Sequence, residues 1–179
     1  MTSNHKPRIG ITIGDLNGIG PEVIMKTLAD HRLFNLFTPV IYGSSKVITF
    51  YKKQLNIEEF NYSQVRSRGQ YSAKTTNVVN CWEDQFEITP GKPSRESGKA
   101  SFLALKQACE DLRDGMIDAL VTAPIDKHSI HSEEFPFTGH TAYITKFFGA
   151  EQSLMFMVSD ELRVGLVTEH VALKDLADR

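Results

Sequence analysis

The chain has 179 residues, 41% of them hydrophobic and 23% charged, which is typical of a globular protein with one core, or with one domain and part of another. The formal net charge of −2 gives no general attraction to nucleic acid or to an anionic membrane surface, so neither is an expected partner. Cys81 and Cys109 follow no CxxC spacing, and no stretch has the ~20 apolar residues of a membrane helix, so we expect a soluble, cytoplasmic protein without disulfides.

Hydrophobic periodicity predicts strands that alternate with helices along the chain. The predicted strands cover residues 8–13, 38–44, 62–67, 75–82, 118–124, 154–159 and 162–168, and the predicted helices cover residues 21–33, 45–55, 96–113, 141–148 and 172–179. The close spacing of the last two strands fits either a hairpin or part of a larger sheet. This order of elements predicts an α/β fold with a mostly parallel sheet.

A glycine-rich turn, GDLNGIGPE, joins the first predicted strand to the first predicted helix. Gly14, Gly18 and Gly20 permit positive φ angles and close approach to the backbone, and Pro21 suits the first position of a helix. Free N–H groups at such a helix start can bind an anion. The spacing matches neither GxGxxG nor a P-loop. From its chemistry, the turn is therefore either a ligand loop or a structural turn.

Four of the six histidines have positions that bear on function. His128 and His131 lie three residues apart in a polar stretch, which fits a solvated helix surface better than a metal site. His140 precedes Thr141 at a predicted helix start, where it could bind a polar or phosphorylated substrate or simply form part of a cap. His170 follows a predicted strand and is either a metal ligand or a capping residue.

Four segments, in the order GITIGDLNGIGPEV, LVTAPIDKHSI, FPFTGHTAYI and LMFMVSDELRVGLVTEHVALKDLAD, together resemble the N-terminal half of the 4-hydroxythreonine-4-phosphate dehydrogenase family. The resemblance extends from about residue 7 to the end of the chain. The family usually has GDPAGIGPE in the first segment, so Leu16 and Asn17 depart from its pattern. We therefore expect this sequence to be part of a longer enzyme.

The resemblance implies a three-layer α/β/α fold related to isocitrate and isopropylmalate dehydrogenases, with two domains beside a cleft. We expect residues 1–125 to belong to the first domain and residues 126–179 to begin the second, which carries substrate and metal. The implied activity is the NAD-dependent oxidation and decarboxylation of 4-hydroxythreonine-4-phosphate, a phosphorylated hydroxy amino acid, in pyridoxal phosphate (vitamin B6) biosynthesis. The family acts as a homodimer, and NADP is the alternative cofactor.

Residue by residue, the resemblance places His140 and Thr141 on the substrate and His170 on a divalent metal (Zn, Mg or Co). It places Gly18 and Gly20 beside the cofactor, with Asp15 fixing the turn through hydrogen bonds. Two further metal-binding histidines of the family would lie beyond residue 179. Since a catalytic metal generally needs three protein ligands, we expect the isolated chain to lack dehydrogenase activity.

Three alternatives remain beside this hypothesis. A paralogue would oxidise a threonate or erythronate phosphate, and His140 and Thr141 would not distinguish these substrates. A non-catalytic α/β binding fragment would keep a ligand site without redox chemistry. An acyl- or phosphotransferase is disfavoured because the sequence offers no convincing nucleophile paired with a base.

Overall fold

The computed structural model describes residues 6–83, 86–168, 171–172 and 174–175. Five parallel strands form its main sheet: β1 (Arg8–Thr12), β2 (Thr38–Gly43), β3 (Tyr62–Gln64), β4 (Thr76–Asn80) and β5 (Ala119–Thr122). Their order across the sheet is β3-β4-β2-β1-β5. The predicted α/β fold with a mostly parallel sheet is therefore confirmed.

The helices lie on both faces of this sheet and complete a three-layer fold. They are α1 (Gly20–Leu28), a 3-10 helix (His31–Asn35), α2 (Ser45–Gln54), α3 (Arg95–Arg113), α4 (Lys127–Ile130) and α5 (His140–Phe147). Helices α1 and α2 contact one another on one face, while α3 packs against β1, β2 and β5 on the other. This arrangement follows from right-handed crossovers that run to opposite sides of β1.

The first predicted helix was too long. Helix α1 ends at Leu28, and the chain re-forms as a 3-10 helix because the Asp30 side chain accepts a hydrogen bond from the Arg32 N–H at 3.0 Å. His31 therefore lies at the start of that short helix, stacked on Phe34, and not near the C-terminus of a longer one. Leu33 continues the apolar period of α1 beyond Leu28, so the sequence pattern did not reveal where the helix ends.

The core lies between the sheet and its two helical layers. Val40, Ile41, Met25, Ile48 and other fully buried apolar side chains fill it. Helix α3 buries most of its predicted inward face, including Cys109, whose thiol has its pKa raised to about 11 by burial. Among the described residues Cys81 and Cys109 are both free cysteines.

A second aromatic cluster joins α3 to the two helices that follow β5. The Phe102 ring lies 5.5 Å from Phe135 and 5.7 Å from Tyr143, measured between centroids, and Ile130 is buried beside them. Residues on both sides of position 125 thus share one packed cluster. The predicted domain division at residue 125 stays a prediction.

The last two strands form an antiparallel hairpin of β6 (Met155–Val158) and β7 (Arg163–Leu166). This settles the alternative that the sequence left open. All four side chains of β6 are exposed, so both faces of the hairpin are open in the described structure. The predicted helix over residues 172–179 lies mostly outside the described residues. Within them, no helix combines the length and the apolar character needed to cross a bilayer.

Candidate functional site

The sheet has its topological switch point between β1 and β5. The chain leaves β1 towards β2 on one side, whereas β5 adds to the other side of β1. In open α/β sheets, ligands bind outside the carboxyl ends of the strands at such a point. The two turns that follow β1 and β5 therefore outline the candidate site.

The glycine turn after β1 is fixed by its own hydrogen bonds. The Asp15 N–H donates to the Pro124 carbonyl at 2.9 Å, which ties this turn to the one after β5. The Asp15 carboxylate accepts from the Asn17 N–H at 2.8 Å, as the sequence led us to expect. The Ser101 hydroxyl of α3 donates to the Gly14 carbonyl at 2.8 Å. Most polar groups of the turn thus have partners within the protein.

Asn17 links the turn to a distant loop, residues 88–92. Its Nδ2 donates to the Lys92 carbonyl at 2.9 Å, and its Oδ1 accepts from the Thr89 N–H at 2.8 Å. The Gly91 N–H donates to the Asn17 carbonyl at 2.7 Å. The Asn17 side chain is therefore a structural clamp, and only 3% of the residue is exposed.

Gly18 and Gly20 occupy different environments in the turn. A Cβ at Gly20 would collide with the Ile13 carbonyl and lie 3.2 Å from the Ala123 Cβ, so its glycine lets α1 pack against the sheet. Gly18 is half-buried, and a Cβ there would meet only Asp15, at 3.4 Å. Of the two glycines, Gly18 is the less buried. The cofactor-binding role of both stays a prediction.

His140 and Thr141 lie in the first turn of α5, next to Lys127 of α4. Gly139 precedes them with extended backbone, and within the described residues no side-chain cap meets the first N–H groups of α5. The position that a Cβ would take on Gly139 is 3.9 Å from Lys127 Cε. A cationic side chain, an imidazole and a hydroxyl are thus gathered at one helix start.

The imidazole of His140 is half-buried, and burial lowers its pKa below the ordinary 6.5, with the Lys127 charge acting in the same direction. Near neutral pH this imidazole is therefore uncharged, with one nitrogen to donate and one to accept a hydrogen bond. Thr141 is exposed, so its hydroxyl is accessible to a ligand. Such groups can hold the hydroxyl or anionic groups of a small polar ligand.

Helix α5 also borders an open groove of about 620 Å³. Ala142 and Thr145 form its helical wall, and Thr168 and Val171 line the opposite side. His170, the predicted metal ligand, lies outside the described residues. Within them, no cluster of three or more His, Cys, Asp or Glu side chains could hold a metal. His128 and His131 are exposed, in agreement with the surface interpretation.

Comparison with protein families decides what kind of protein carries this site. The family model described as pyridoxal phosphate biosynthetic protein PdxA matches residues 35–179, which is most of the chain. The chain belongs to the PdxA family. This agrees with the resemblance read from the four sequence segments.

Named PdxA relatives support the same grouping. A 4-hydroxythreonine-4-phosphate dehydrogenase of Bacteroides thetaiotaomicron is 45% identical over 174 residues, which cover 97% of this chain and 48% of the relative. A Clostridium botulinum protein, provisionally named a D-threonate 4-phosphate dehydrogenase, is 32% identical over 98% of this chain and 53% of its own length. These relatives are dehydrogenases by name, so the chain belongs to an oxidoreductase family. The chain spans about half the length of the relatives it matches.

A crystal structure confirms the PdxA fold. The structure of a 4-hydroxythreonine-4-phosphate dehydrogenase from Burkholderia phymatum matches with a TM-score of 0.85 and 29% identity, covering 98% of this chain and 54% of that one. The α/β architecture described above is therefore that of PdxA dehydrogenases.

Sequence reasoning missed two residues of this candidate site. Lys127 stands in the motif PIDKHS, and its position at the start of the helix that follows β5 was the available signal. Asn17 was noted only as a departure from the family pattern, and its contacts with residues 88–92 could not be read from the sequence. Both roles depend on contacts between segments that are far apart in the chain.

Proposed function

We propose that this chain is part of an NAD- and divalent-metal-dependent dehydrogenase that oxidises and decarboxylates 4-hydroxythreonine-4-phosphate in pyridoxal phosphate biosynthesis. The observation that carries the proposal is the arrangement of His140, Thr141 and Lys127 at the open start of α5, in a chain that belongs to the PdxA family. The B. thetaiotaomicron relative bears the name of this activity. The proposal includes a homodimer in the cytoplasm.

The proposed reaction begins at an alcohol carbon. NAD, when bound, would accept a hydride from that carbon as its hydroxyl loses a proton, and the β-keto acid so formed would lose CO2 and take up a proton at the α-carbon to give an amino ketone phosphate. In this scheme the neutral imidazole of His140 and the Thr141 hydroxyl bind and orient polar groups of the substrate. The Lys127 ammonium attracts its negative charge. Lys127 and Thr141 are exposed and His140 is half-buried.

The residues for the metal are only partly present in this chain. His170 is the proposed ligand that the sequence contributes, and a catalytic metal generally needs three. We therefore derive no step through the metal, and the proposal requires further ligands from outside these 179 residues. For NAD, the half-buried Gly18 is the proposed contact on the crevice wall, while Gly20 supports that wall through its packing.

A binding experiment on this chain tests the substrate role of α5. Calorimetry with 4-hydroxythreonine-4-phosphate should show binding that His140→Ala weakens by about tenfold or more, since a hydrogen bond to a charged ligand contributes about 1.5–3 kcal/mol. His128→Ala is the matched control because it removes an exposed histidine 12 positions earlier, outside α5. Equal losses in the two variants, or no binding by the parent chain, would contradict the assignment.

A second measurement tests the need for the rest of the enzyme. The isolated chain with NAD, substrate and Mg²⁺ or Zn²⁺ should produce no steady NADH. Sustained NADH formation would show that these residues suffice and would overturn the ligand count on which the expectation rests.

A second candidate substrate is D-threonate 4-phosphate. The observation in its favour is the C. botulinum relative, which matches nearly the whole of this chain. The two substrates share a phosphate and a hydroxyl group, so His140 and Thr141 suit both. Titrating each compound into the chain under the same conditions compares them, and tighter binding of the threonate phosphate would favour the second candidate.

A further inference from the structure

A pocket of about 600 Å³ lies between the first two turns of α3 and the segment that begins with α4. We call it the α3–α4 pocket. Its volume is within the range of roughly 300–1,000 Å³ that is usual for small-molecule sites. The described residues that line it do not include His140, Thr141 or Lys127. The pocket is therefore a candidate site distinct from the start of α5.

Main-chain contacts hold the walls of the α3–α4 pocket in place. A Cβ on Gly98 of α3 would lie 1.9 Å from the Ser129 carbonyl oxygen, so the glycine lets α4 pack directly on α3. After α4, the Phe135 N–H donates to the Ser132 carbonyl at 3.1 Å, and the Ser132 N–H donates to the Phe135 carbonyl at 3.3 Å. These two bonds close a tight turn that carries residues 133–134 at its tip.

Charges of opposite sign line the pocket from two different elements. Arg95 and Lys99 lie four positions apart and so share one face of α3. Glu133 and Glu134 line the pocket from the turn after α4. All four residues are exposed, and among the described residues none of their side chains forms an ion pair. The pocket therefore holds unpaired positive charge at α3 and unpaired negative charge at the turn.

The stability of α3 does not account for the cation at its start. Arg95 is the first residue of the helix, where the helix dipole makes a positive charge unfavourable. The cap of this helix is supplied by Ser94, whose hydroxyl oxygen accepts from the Ser97 N–H at 3.0 Å. An anion bound beside Arg95 would offset the repulsion between its guanidinium and the helix dipole.

The floor of the pocket is apolar and its remaining walls are polar. Phe102 is 8% exposed and Ile130 is 2% exposed, and both belong to the aromatic cluster between α3 and α5. His131 and Ser129 also line the pocket, so an imidazole and a hydroxyl can supply further hydrogen bonds. A short alkyl chain would fit over this floor with a charged group at each end.

The number of charges at each wall indicates the class of ligand. A phosphate monoester carries about two negative charges at neutral pH, which match the two cations of α3, whereas a carboxylate carries one. We propose that the α3–α4 pocket binds an aminoalkyl phosphate, with its phosphate at Arg95 and Lys99 and its ammonium group at the turn 132–135. This site is independent of the substrate role proposed for α5.

Calorimetry of the 179-residue chain with O-phosphoethanolamine tests the proposal. Two matched ligands each change one end of this probe: ethyl phosphate lacks the ammonium group, and β-alanine has a carboxylate in place of the phosphate. Both should bind at least about fivefold more weakly than O-phosphoethanolamine, because each gives up charge-assisted contacts with one wall.

Variants of α3 test the phosphate end. Arg95→Gln and Lys99→Gln should each weaken the binding of O-phosphoethanolamine and of ethyl phosphate by about fivefold or more. Lys106→Gln is the matched control, because it removes an exposed lysine two turns further along α3 that does not line the pocket. It should leave the binding of both ligands unchanged.

A variant of the turn tests the ammonium end. Glu133→Gln combined with Glu134→Gln should weaken the binding of O-phosphoethanolamine but not that of ethyl phosphate, a difference that general loss of structure would not produce. His140→Ala should leave the binding of O-phosphoethanolamine unchanged, which separates this site from the start of α5. Circular dichroism shows that each variant is folded.

Four results would overturn the proposal. They are the absence of O-phosphoethanolamine binding, equal binding of the three ligands, equal effects of Arg95→Gln and Lys106→Gln, and loss of binding in His140→Ala. The last result would place the probe at α5 and leave the proposed function standing without the second site.

Discussion

Replacing Asn17 by alanine tests whether the glycine turn is a rigid structural element. The substitution removes the hydrogen bonds of Nδ2 to the Lys92 carbonyl and of the Thr89 N–H to Oδ1, at 2.9 and 2.8 Å. It leaves the main-chain bond from Gly91 intact. The change therefore isolates the side-chain part of the clamp between the turn and residues 88–92.

The expected cost follows from two hydrogen bonds in a part-buried site. A neutral hydrogen bond contributes about 0.5–1.5 kcal/mol, and a buried group left without a partner costs about 1–3 kcal/mol. Water can reach part of residues 88–92, so the two abandoned groups should not incur the full penalty. We expect the free energy of unfolding to fall by about 2–3 kcal/mol, which is a large share of the roughly 5–15 kcal/mol of an ordinary domain.

Urea denaturation followed by circular dichroism measures this loss. Asn61→Ala is the matched control, since the Asn61 side chain is exposed and makes a single long bond of 3.4 Å to the Glu59 carbonyl. Asn17→Asp keeps the acceptor for Thr89 but loses the donor to Lys92, and it should fall between the parent and alanine. A loss below about 0.5 kcal/mol for Asn17→Ala, equal to that of the control, would refute the clamp.

Two further predictions concern charged groups. Asp111 is 1% exposed, and its carboxylate accepts hydrogen bonds from Tyr42 at 2.7 Å, Gln107 at 3.1 Å and Arg68. Asp111→Ala should therefore lower the free energy of unfolding by about 3–5 kcal/mol in the same urea assay. The control, Asp114→Ala, also removes a partner of Arg68 but should lower it far less. Because burial lowers the pKa of His140 below 6.5, the folded protein binds fewer protons at this residue than the unfolded chain does. Lowering the pH through 6.5 should therefore reduce the free energy of unfolding of the parent more than that of His140→Gln. Equal dependence of stability on pH in the two proteins would contradict the assignment.

The main sheet could be predicted because its strands carry their information locally. Residues 39–42 form an apolar run, and every residue of β2 is buried, which is typical of a parallel strand covered on both faces. The end of α1 could not be predicted, since Leu33 continues the apolar period and only the Asp30 cap stops the helix. Asp111 was also missed. A carboxylate on the inward side of α3 is stabilised by tyrosines from β2 and a loop, and such contacts leave no local sequence signal.

The candidate site was predictable in part for the same reason. His140 and Thr141 follow Gly139 at a helix start, so their accessibility could be inferred from neighbours in sequence. Lys127 could not be placed beside them, because the path from β5 through α4 to α5 depends on the packing of Phe102, Phe135 and Tyr143. The turn after β1 was recognised as a candidate, yet its glycines alone did not distinguish a ligand loop from a structural turn.

The hydrogen bonds of that turn now constrain what it could bind. The Asp15 N–H, the Asp15 carboxylate and the Asn17 side chain are all engaged within the protein, so the side chains of the turn offer little to a pyrophosphate. Within the described residues the start of α1 has no side-chain cap, so its first N–H groups are the polar groups left for a ligand. They follow the half-buried Gly18, and the Ile19 side chain beside them is 63% exposed. A cofactor that meets this turn would therefore meet main-chain donors next to an apolar side chain, and we expect the turn to position it by shape and by main-chain hydrogen bonds.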